Sequence, residues 1–350
     1  MKKIYTIFIF ILAFNYPALY AQIVVALHTD GDSGQRTVNY YYQSDGFQKA
    51  YADATDGDTI YLPGGIFVPP SPVAKQLVVY GAGHYPDATT ETGVTFVNGD
   101  LRLGEGADHL HLEGLHVIGS IMTHANNLSV NNINVVRCYF AAGLTFNGDK
   151  TNPSTNISFT GCVFNGTGAY SFQNIQNAAV HNSLLRGRIS SSEANLFSNN
   201  IFFFTSNNSY IFGSSDNNTI RNNIFLHSSD WYWVSASTGN KWYNNIIPAE
   251  GPRFGAGDTD NGNYKGVAFS PVFVSQSGSD FIYEDNYNLL SPGTYPGTDG
   301  SQVGLYGGVF PYREMAIPVS PYISNSSVSP RTDPDGNLSI EITVEAQNEN

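Results

Sequence analysis

Arginine, histidine and tyrosine occur at one position of a short repeat in the middle of the chain. Each repeat has an apolar residue, an outward residue, two small or amide residues and two apolar residues. The outward position is occupied by Val136, Thr160, His181, Ser198, Arg221 and Tyr243. If the repeats stack as paired strands, Arg221 and Tyr243 lie about 5 Å apart, and His181 lies about 10 Å from Arg221.

This row of side chains has the groups that a polysaccharide lyase needs. Arg221 could neutralise a uronate carboxylate while Tyr243 removes the C5 proton, and His181 is a further candidate. Ordinary solvent-facing residues are the alternative interpretation, because strand alternation places some polar residue there in every repeat. Whether the chain is an enzyme therefore stays open.

Histidines and carboxylates provide two weaker metal candidates. On one strand, His109, His111 and Glu113 would share a face, a spacing that metal sites use. A polar outer face explains the same pattern, and His116 nearby adds little. Asp258 and Asp260 are a candidate calcium pair. We expect no cofactor, with Ca²⁺ as the alternative.

Aromatic residues provide a candidate carbohydrate-binding surface. In the segment 230–234, Trp231 and Trp233 share one strand face, and Tyr210 lies one repeat earlier. If Val234 fills the interior, both tryptophans are exposed and can stack on pyranose rings. In the opposite phase the tryptophans fill the core, and both phases remain open.

A repeat with a period near 22 must position these residues. Successive copies start between 17 and 24 residues apart, at Val135, Phe159, Val180, Phe197, Ile220 and Trp242. The period fits one coil of a β-solenoid with three short strands, stacked at about 4.8 Å. Asn-Asn pairs mark the bends, because asparagine tolerates the left-handed backbone and its amides can stack along the axis. We predict an all-β chain, a single right-handed parallel β-helix of about ten coils.

The first coil needs a cover, and the sequence provides an amphipathic helix between Ser44 and Gly57. Its apolar residues have helical spacing: Phe47, Ala50, Tyr51 and Ala54.

Cys138 and Cys162 occupy one repeat position, 24 residues apart. We expect them to stack as buried neighbours, as free thiols rather than a disulfide, because parallel strands keep their Cβ atoms too far apart.

Two segments resemble a known group of proteins. The segments 47–65 and 299–308, with the Asn-Asn-Ile-Phe coils between them, resemble pectin-lyase-like parallel β-helix proteins. The resemblance covers most of residues 45–312 and implies the fold. It does not imply one activity, because the superfamily includes lyases, hydrolases, epimerases and adhesins.

The catalytic sets of that superfamily are not found in the repeats. Its hydrolases use clustered aspartates with an Asp-Asp pair and a Gly-His-Gly segment, and its calcium-dependent lyases use several aspartates on one strand face. The only aspartates in residues 133–247 are Asp149, Asp216 and Asp230, all at loop-like positions.

The termini and the charge limit the partners. Lys2, Lys3 and the apolar run after them predict a signal peptide over 1–21, followed by the solenoid over 22–313 and a strand extension over 314–350. We therefore expect export to the periplasm, the cell surface or the medium. The formal charge of −13 argues against nucleic acid as a partner, and neither the N-terminal apolar run nor any other is long enough to span a membrane.

These observations favour an extracellular glycan-associated protein that binds a neutral or cation-bridged polysaccharide. A polysaccharide lyase that acts through the Arg221 row is the first alternative. A structural or adhesive surface solenoid is the second.

Overall fold

Strands of two to five residues alternate with bends along most of the chain. The structure, a computed structural model, describes residues 23–30, 36–86, 91–206, 208–313 and 322–346, so the predicted signal peptide lies outside it. The strands stack into a parallel β-solenoid of about nine turns, which confirms the predicted fold with about one coil fewer than expected.

Three sheets form the walls of the solenoid. Sheet I has twelve strands, in spatial order Arg36–Tyr42, Val24–Asp30, Thr59–Tyr61, Val78–Tyr80, His111–Glu113, Asn134–Val136, Ser158–Thr160, Ala179–His181, Leu196–Ser198, Thr219–Arg221, Lys241–Tyr243 and Thr259–Asn261. Sheet II has ten strands: Gly65–Phe67, Thr95–Val97, His116–Val117, Tyr139–Phe140, Val163–Phe164, Leu184–Leu185, Ile201–Phe202, Ile224–Phe225, Ile246–Ile247 and Tyr264–Lys265. Sheet III has seven strands: Leu101–Leu103, Ser120–Thr123, Gly143–Asn147, Ala169–Gln173, Arg188–Ser190, Phe212–Gly213 and Val234–Ser235. A short parallel pair, Ser154–Thr155 and Ile175–Gln176, lies beside them.

Asparagine pairs make the bend between sheet I and sheet II, as predicted. Asn182, which precedes Ser183, has a left-handed backbone, as does the first asparagine of each pair: Asn199, Asn222 and Asn244. The second points into the interior and bonds to the next coil: Asn200 Nδ2 donates to Asn223 Oδ1 at 3.0 Å, and Asn223 Nδ2 donates to Asn245 Oδ1 at 3.0 Å. These buried amides form a ladder along the solenoid axis.

A second ladder lies at the bend between sheet III and sheet I. The Asn195 N–H donates to Asn218 Oδ1 at 3.0 Å, and the Asn218 N–H donates to Asn240 Oδ1 at 3.0 Å. The ladder ends at Asp258, whose Oδ1 accepts from the Asn240 N–H at 2.8 Å. Both ladders satisfy backbone donors that the bends would otherwise bury without partners.

Apolar side chains from all three sheets fill the interior. The central residue of each three-residue strand in sheet I from Thr59–Tyr61 to Lys241–Tyr243 points inward and is buried, for example Phe159 and Ile220. Cys138 and Cys162 are buried free thiols between paired strands of adjacent coils, as predicted. Burial raises the pKa of Cys162 to about 12.

A helix and a hairpin cover the N-terminal end. The predicted helix spans Gly46–Asp53 and buries Phe47 and Ala50 against the first coil. The hairpin of Val24–Asp30 and Arg36–Tyr42 was not predicted from the sequence, and its first strand pairs antiparallel with Thr59–Tyr61. The edge of sheet I is therefore an antiparallel strand.

The C-terminal part of the solenoid chain turns back over the outside of sheet II. It contains the antiparallel strands Phe273–Ser275 and Asn286–Leu289 and the 3₁₀ turns Ser270–Val272 and Pro292–Thr294. Outward apolar residues of sheet II, such as Leu184 and Ile224, are buried beneath this layer with Leu289 and Leu305.

The segment Pro296–Tyr312, called the strap below, crosses the asparagine bends. Asn182 Nδ2 donates to the carbonyls of Leu305 at 2.7 Å and Gly307 at 2.8 Å. Asn244 Nδ2 donates to the Pro296 carbonyl at 3.0 Å. The strap runs back along the solenoid axis over four consecutive coils.

The predicted C-terminal extension contains two strands rather than one. Tyr322–Val328 and Ile340–Glu345 form an antiparallel hairpin. Asp333 accepts from the N–H groups of Asp335 and Asn337, which forms a turn between the two strands. No helix in the described ranges is long and apolar enough to cross a membrane.

Candidate functional site

The predicted row of outward side chains lies on the outer face of sheet I, which we call the front face. Strand register places Val136, Thr160, His181, Ser198, Arg221 and Tyr243 at equivalent positions of consecutive coils. Arg221 and Tyr243 are therefore direct neighbours, and Ser198 separates His181 from Arg221, as predicted. The row continues toward the N-terminus through Tyr61, Tyr80 and Glu113.

His181 is a neutral imidazole at neutral pH. Burial, assisted by the positive charge of Arg221, lowers its pKa to about 4. Its Nδ1 lies 2.6 Å from Ser198 Oγ, within hydrogen-bond distance, and its ring centroid lies 5.6 Å from that of Phe310 in the strap. A neutral imidazole can accept a proton.

Arg221 has spare hydrogen-bonding capacity. Its Nε is buried and has no partner among the described residues. Arg221 acts electrostatically on Asp299, whose pKa is lowered mainly by the Ser301 hydroxyl and also by the charge of Arg221. Because arginine stays protonated, the partly exposed guanidinium can donate to a ligand carboxylate or hydroxyl.

A cleft opens on the front face where the end of the strap lies beside the strands. Its volume is about 680 Å³, and its lining includes Arg137, Thr160, His181, Phe310 and Arg313. Volumes of this order hold drug-sized ligands. The cleft combines an aromatic wall with cationic and hydroxyl groups.

The cleft is bordered by a buried carboxylate with fixed partners. Ser158 Oγ donates to Asn134 Oδ1 at 2.7 Å, and Asn134 Nδ2 donates to His111 Nδ1 at 3.0 Å. His111 Nε2 therefore carries the proton and donates to Glu113 Oε2 at 3.2 Å.

Arg137 donates to the other oxygen of Glu113. The pair is buried on both sides, so Glu113 neutralises Arg137, and Arg313 is a second arginine in the cleft lining. Arg137 and Arg313 were not predicted as site residues. Arg137 follows Val136 of the row directly in sequence. Arg313 reaches the cleft only because the strap before it folds back over the coils.

The predicted metal candidates have other roles in the structure. His109 has a φ of +63°, so it lies at a bend, and the prediction that it shares a strand face with His111 and Glu113 is wrong. Asp258 accepts from the N–H groups of Asn240, Gly255 and the Trp242 indole, which gives it a structural role.

Asp260 contacts Lys265 and Asn263 instead of Asp258. Within the described residues there is no group of three or more histidine, cysteine, aspartate or glutamate side chains suited to a metal ion.

The predicted tryptophan surface is divided. Trp231 is 54% exposed, and the Arg253 guanidinium carbon lies over it, 3.3 Å from the centroid of the Trp231 ring. Trp233 is fully buried. Tyr232 between them has a φ of +68°, which breaks the strand alternation. The prediction that both tryptophans are exposed is therefore wrong, and so is the alternative that both fill the core. Tyr210 lies beside Tyr232, with ring centroids 5.3 Å apart.

A tyrosine platform at the N-terminal end of the front face was not predicted. Tyr61 and Tyr80 stack at a centroid distance of 5.4 Å and an angle of 24°. His28 lies 4.7 Å from Tyr61, and His111 lies 5.6 Å from Tyr80. The repeated tyrosine at the end of Thr59–Tyr61 and Val78–Tyr80 was the available signal.

Comparison of the chain with protein-family models, curated proteins and solved structures finds no match.

Proposed function

We propose that the protein is an exported glycan-binding solenoid that holds a polysaccharide along its front face. The observation that carries this proposal is the single row that joins the stacked Tyr61–Tyr80 pair to the cleft at His181. Aromatic rings stack on the apolar faces of pyranose units, and successive coils provide contacts at about 4.8 Å intervals. The expected pyranose subsite therefore moves from Trp231 and Trp233 to the tyrosine platform.

The cationic end of the same face defines the other half of the ligand. Arg221 can bind a sugar carboxylate directly, which removes the need for a bridging cation. We therefore infer a glycan with unsubstituted pyranose faces at the tyrosine platform and a carboxylated unit beside Arg221. The resembling segments and the three-sheet solenoid support membership of the pectin-lyase-like superfamily, which we propose with this function.

Glycan arrays followed by calorimetry with the best oligosaccharide test the proposal. We expect the double variant Y61A/Y80A to weaken binding at least tenfold, because each lost stacking contact removes about 1 kcal/mol. Trp231→Ala is the matched control, since Trp231 is an exposed aromatic residue on another part of the solenoid. Binding that is lost in Trp231→Ala and kept in the double variant would show that the front face is not the site.

A second candidate is β-elimination of a uronate polymer on the same face. It is favoured by the neutral imidazole of His181 near Arg221, because a lyase needs a base beside the group that neutralises the carboxylate. Tyr243 is the alternative base. Ultraviolet absorbance of the unsaturated product tests this reaction, and a wild-type protein that releases no product from any uronate polymer that it binds excludes it.

A further inference from the structure

A polar pocket lies at the bend between sheet II and sheet III, on a different wall of the solenoid from the front face. Its volume is about 490 Å³. Arg186 and Arg188 lie two residues apart on its wall, on either side of the buried Gly187. The nearly buried side chains of Phe203 and Phe204 also line it.

The charge of this pocket is positive in an acidic chain. Arg186 Nη2 lies 2.7 Å from Asp280 Oδ1, so this ion pair is neutral. Arg188 forms no ion pair with any described residue, and Asp280 is the only carboxylate in the pocket lining. One full positive charge therefore remains, because a guanidinium does not lose its proton.

Hydroxyl groups supply the remaining donors. Thr167, Thr205, Ser209 and Ser279 line the pocket around the two arginines. Several hydroxyl donors with a guanidinium fork match an anion that has three or four oxygens pointing in different directions. A planar carboxylate has only two oxygens and would leave most of these donors unused.

We propose that this pocket binds the sulfate or phosphate group of a small sugar ester, with Arg188 as the main ligand. The pocket volume is in the range of small-molecule sites and exceeds what one tetrahedral anion fills, so a sugar unit occupies the rest. Asp280 limits the affinity, because it holds Arg186 and repels the anion. The site is independent of the front face.

Calorimetry at constant ionic strength tests the site with glucose 6-sulfate and glucose 6-phosphate as probes. Glucose and inorganic sulfate serve as reference ligands. We expect Arg188→Gln to weaken binding of the esters about tenfold or more, because a charge-assisted hydrogen bond is lost. Arg188→Lys should restore part of the affinity, since it returns the charge without the fork.

Asp280→Asn should change the affinity for the esters in the opposite direction. We expect tighter binding, because the substitution removes the competing carboxylate. Arg102→Gln is the control for the loss of one arginine charge, since Arg102 lies on a different coil. Equal affinity of the wild type and Arg188→Gln, with both proteins folded by thermal melt, would overturn the site. Equal affinity for inorganic sulfate and the sugar sulfate would overturn the sugar part and leave an anion site.

Discussion

Arg221 combines a fixed position with a free donor, and this combination decides what its replacement should do. The strand Thr219–Arg221 places the side chain outward, next to Tyr243. The side chain is partly exposed, and its buried Nε has no partner in the described part of the chain. Arg221 is therefore the residue at which ligand binding and protein stability should separate most clearly.

Arg221→Ala should lower the affinity for carboxylated oligosaccharides about tenfold or more, and it should abolish lyase product if any is formed. The free energy of unfolding should change by less than about 0.5 kcal/mol, as at other outward positions. Calorimetry and urea unfolding measure the two effects. Lys241→Ala is the control, because Lys241 is an exposed cation one coil away; an equal loss in both variants would indicate only a general charge effect.

At the scale of elements, the interior asparagine ladder joins one coil to the next. Asn223 Oδ1 accepts from the backbone N–H of Asn200 at 2.9 Å, and Asn223 Nδ2 donates to the Phe197 carbonyl at 2.9 Å. All these groups are buried, so loss of the amide leaves donors and acceptors without water.

Asn223→Ala should lower the free energy of unfolding by about 2 kcal/mol or more, because buried unsatisfied groups cost about 1–3 kcal/mol each. Urea denaturation is the measurement. Asn126→Ala, which removes an exposed amide, should change it by less than about 0.5 kcal/mol. Equal stability of the two variants would contradict a structural role for the ladder.

The strap should respond to the loss of a single bend asparagine. Asn182 has a left-handed backbone, so Asn182→Gly keeps the bend and removes only the two hydrogen bonds to the strap. We expect faster hydrogen exchange at residues 304–308, measured by mass spectrometry.

Asn177→Gly is the control, because Asn177 is exposed and also has a positive φ. Unchanged exchange at 304–308 in Asn182→Gly would show that these bonds do not hold the strap.

The sequence predicted the elements better than the surfaces they form. Asn222 and Asn223 marked a bend and a ladder because both depend on local conformation and on a repeat that is visible in the chain. Trp233 could not be placed, because the positive φ of Tyr232 interrupts the alternation on which the phase was based. The cleft was not predictable either, since Arg313 reaches Arg137 only when distant parts of the chain pack together.

At the scale of the whole molecule, buried histidines make stability depend on pH. Burial lowers the pKa of His84 to about 3 and that of His116 to about 4, and it also lowers the pKa of His227. In the unfolded chain these groups have a pKa of about 6.5. The unfolded chain therefore binds protons first as the pH falls. The contribution of these histidines to the free energy of unfolding is complete above about pH 6.5 and is lost as the pH falls toward 4 and 3.

The free energy of unfolding should thus decrease between pH 7 and pH 4 by up to about 1.4 kcal/mol per pH unit for each such histidine. His116→Phe keeps an aromatic ring between Phe96 and Tyr139 and removes one titrating group. Its urea unfolding should depend less steeply on pH than that of the wild type. His109→Gln, at an exposed bend, should keep the wild-type slope; parallel curves for wild type and His116→Phe would refute the assignment.

The strap has a consequence for the order of events during folding. If the chain crosses the membrane from its N-terminus, each coil can stack on its predecessor as it emerges. Residues 296–312 emerge after all the coils from Asn182 to Asn244 that they cross. Their docking is therefore the closing step of solenoid assembly, and it converts four coils that were added one at a time into a unit that must come apart together.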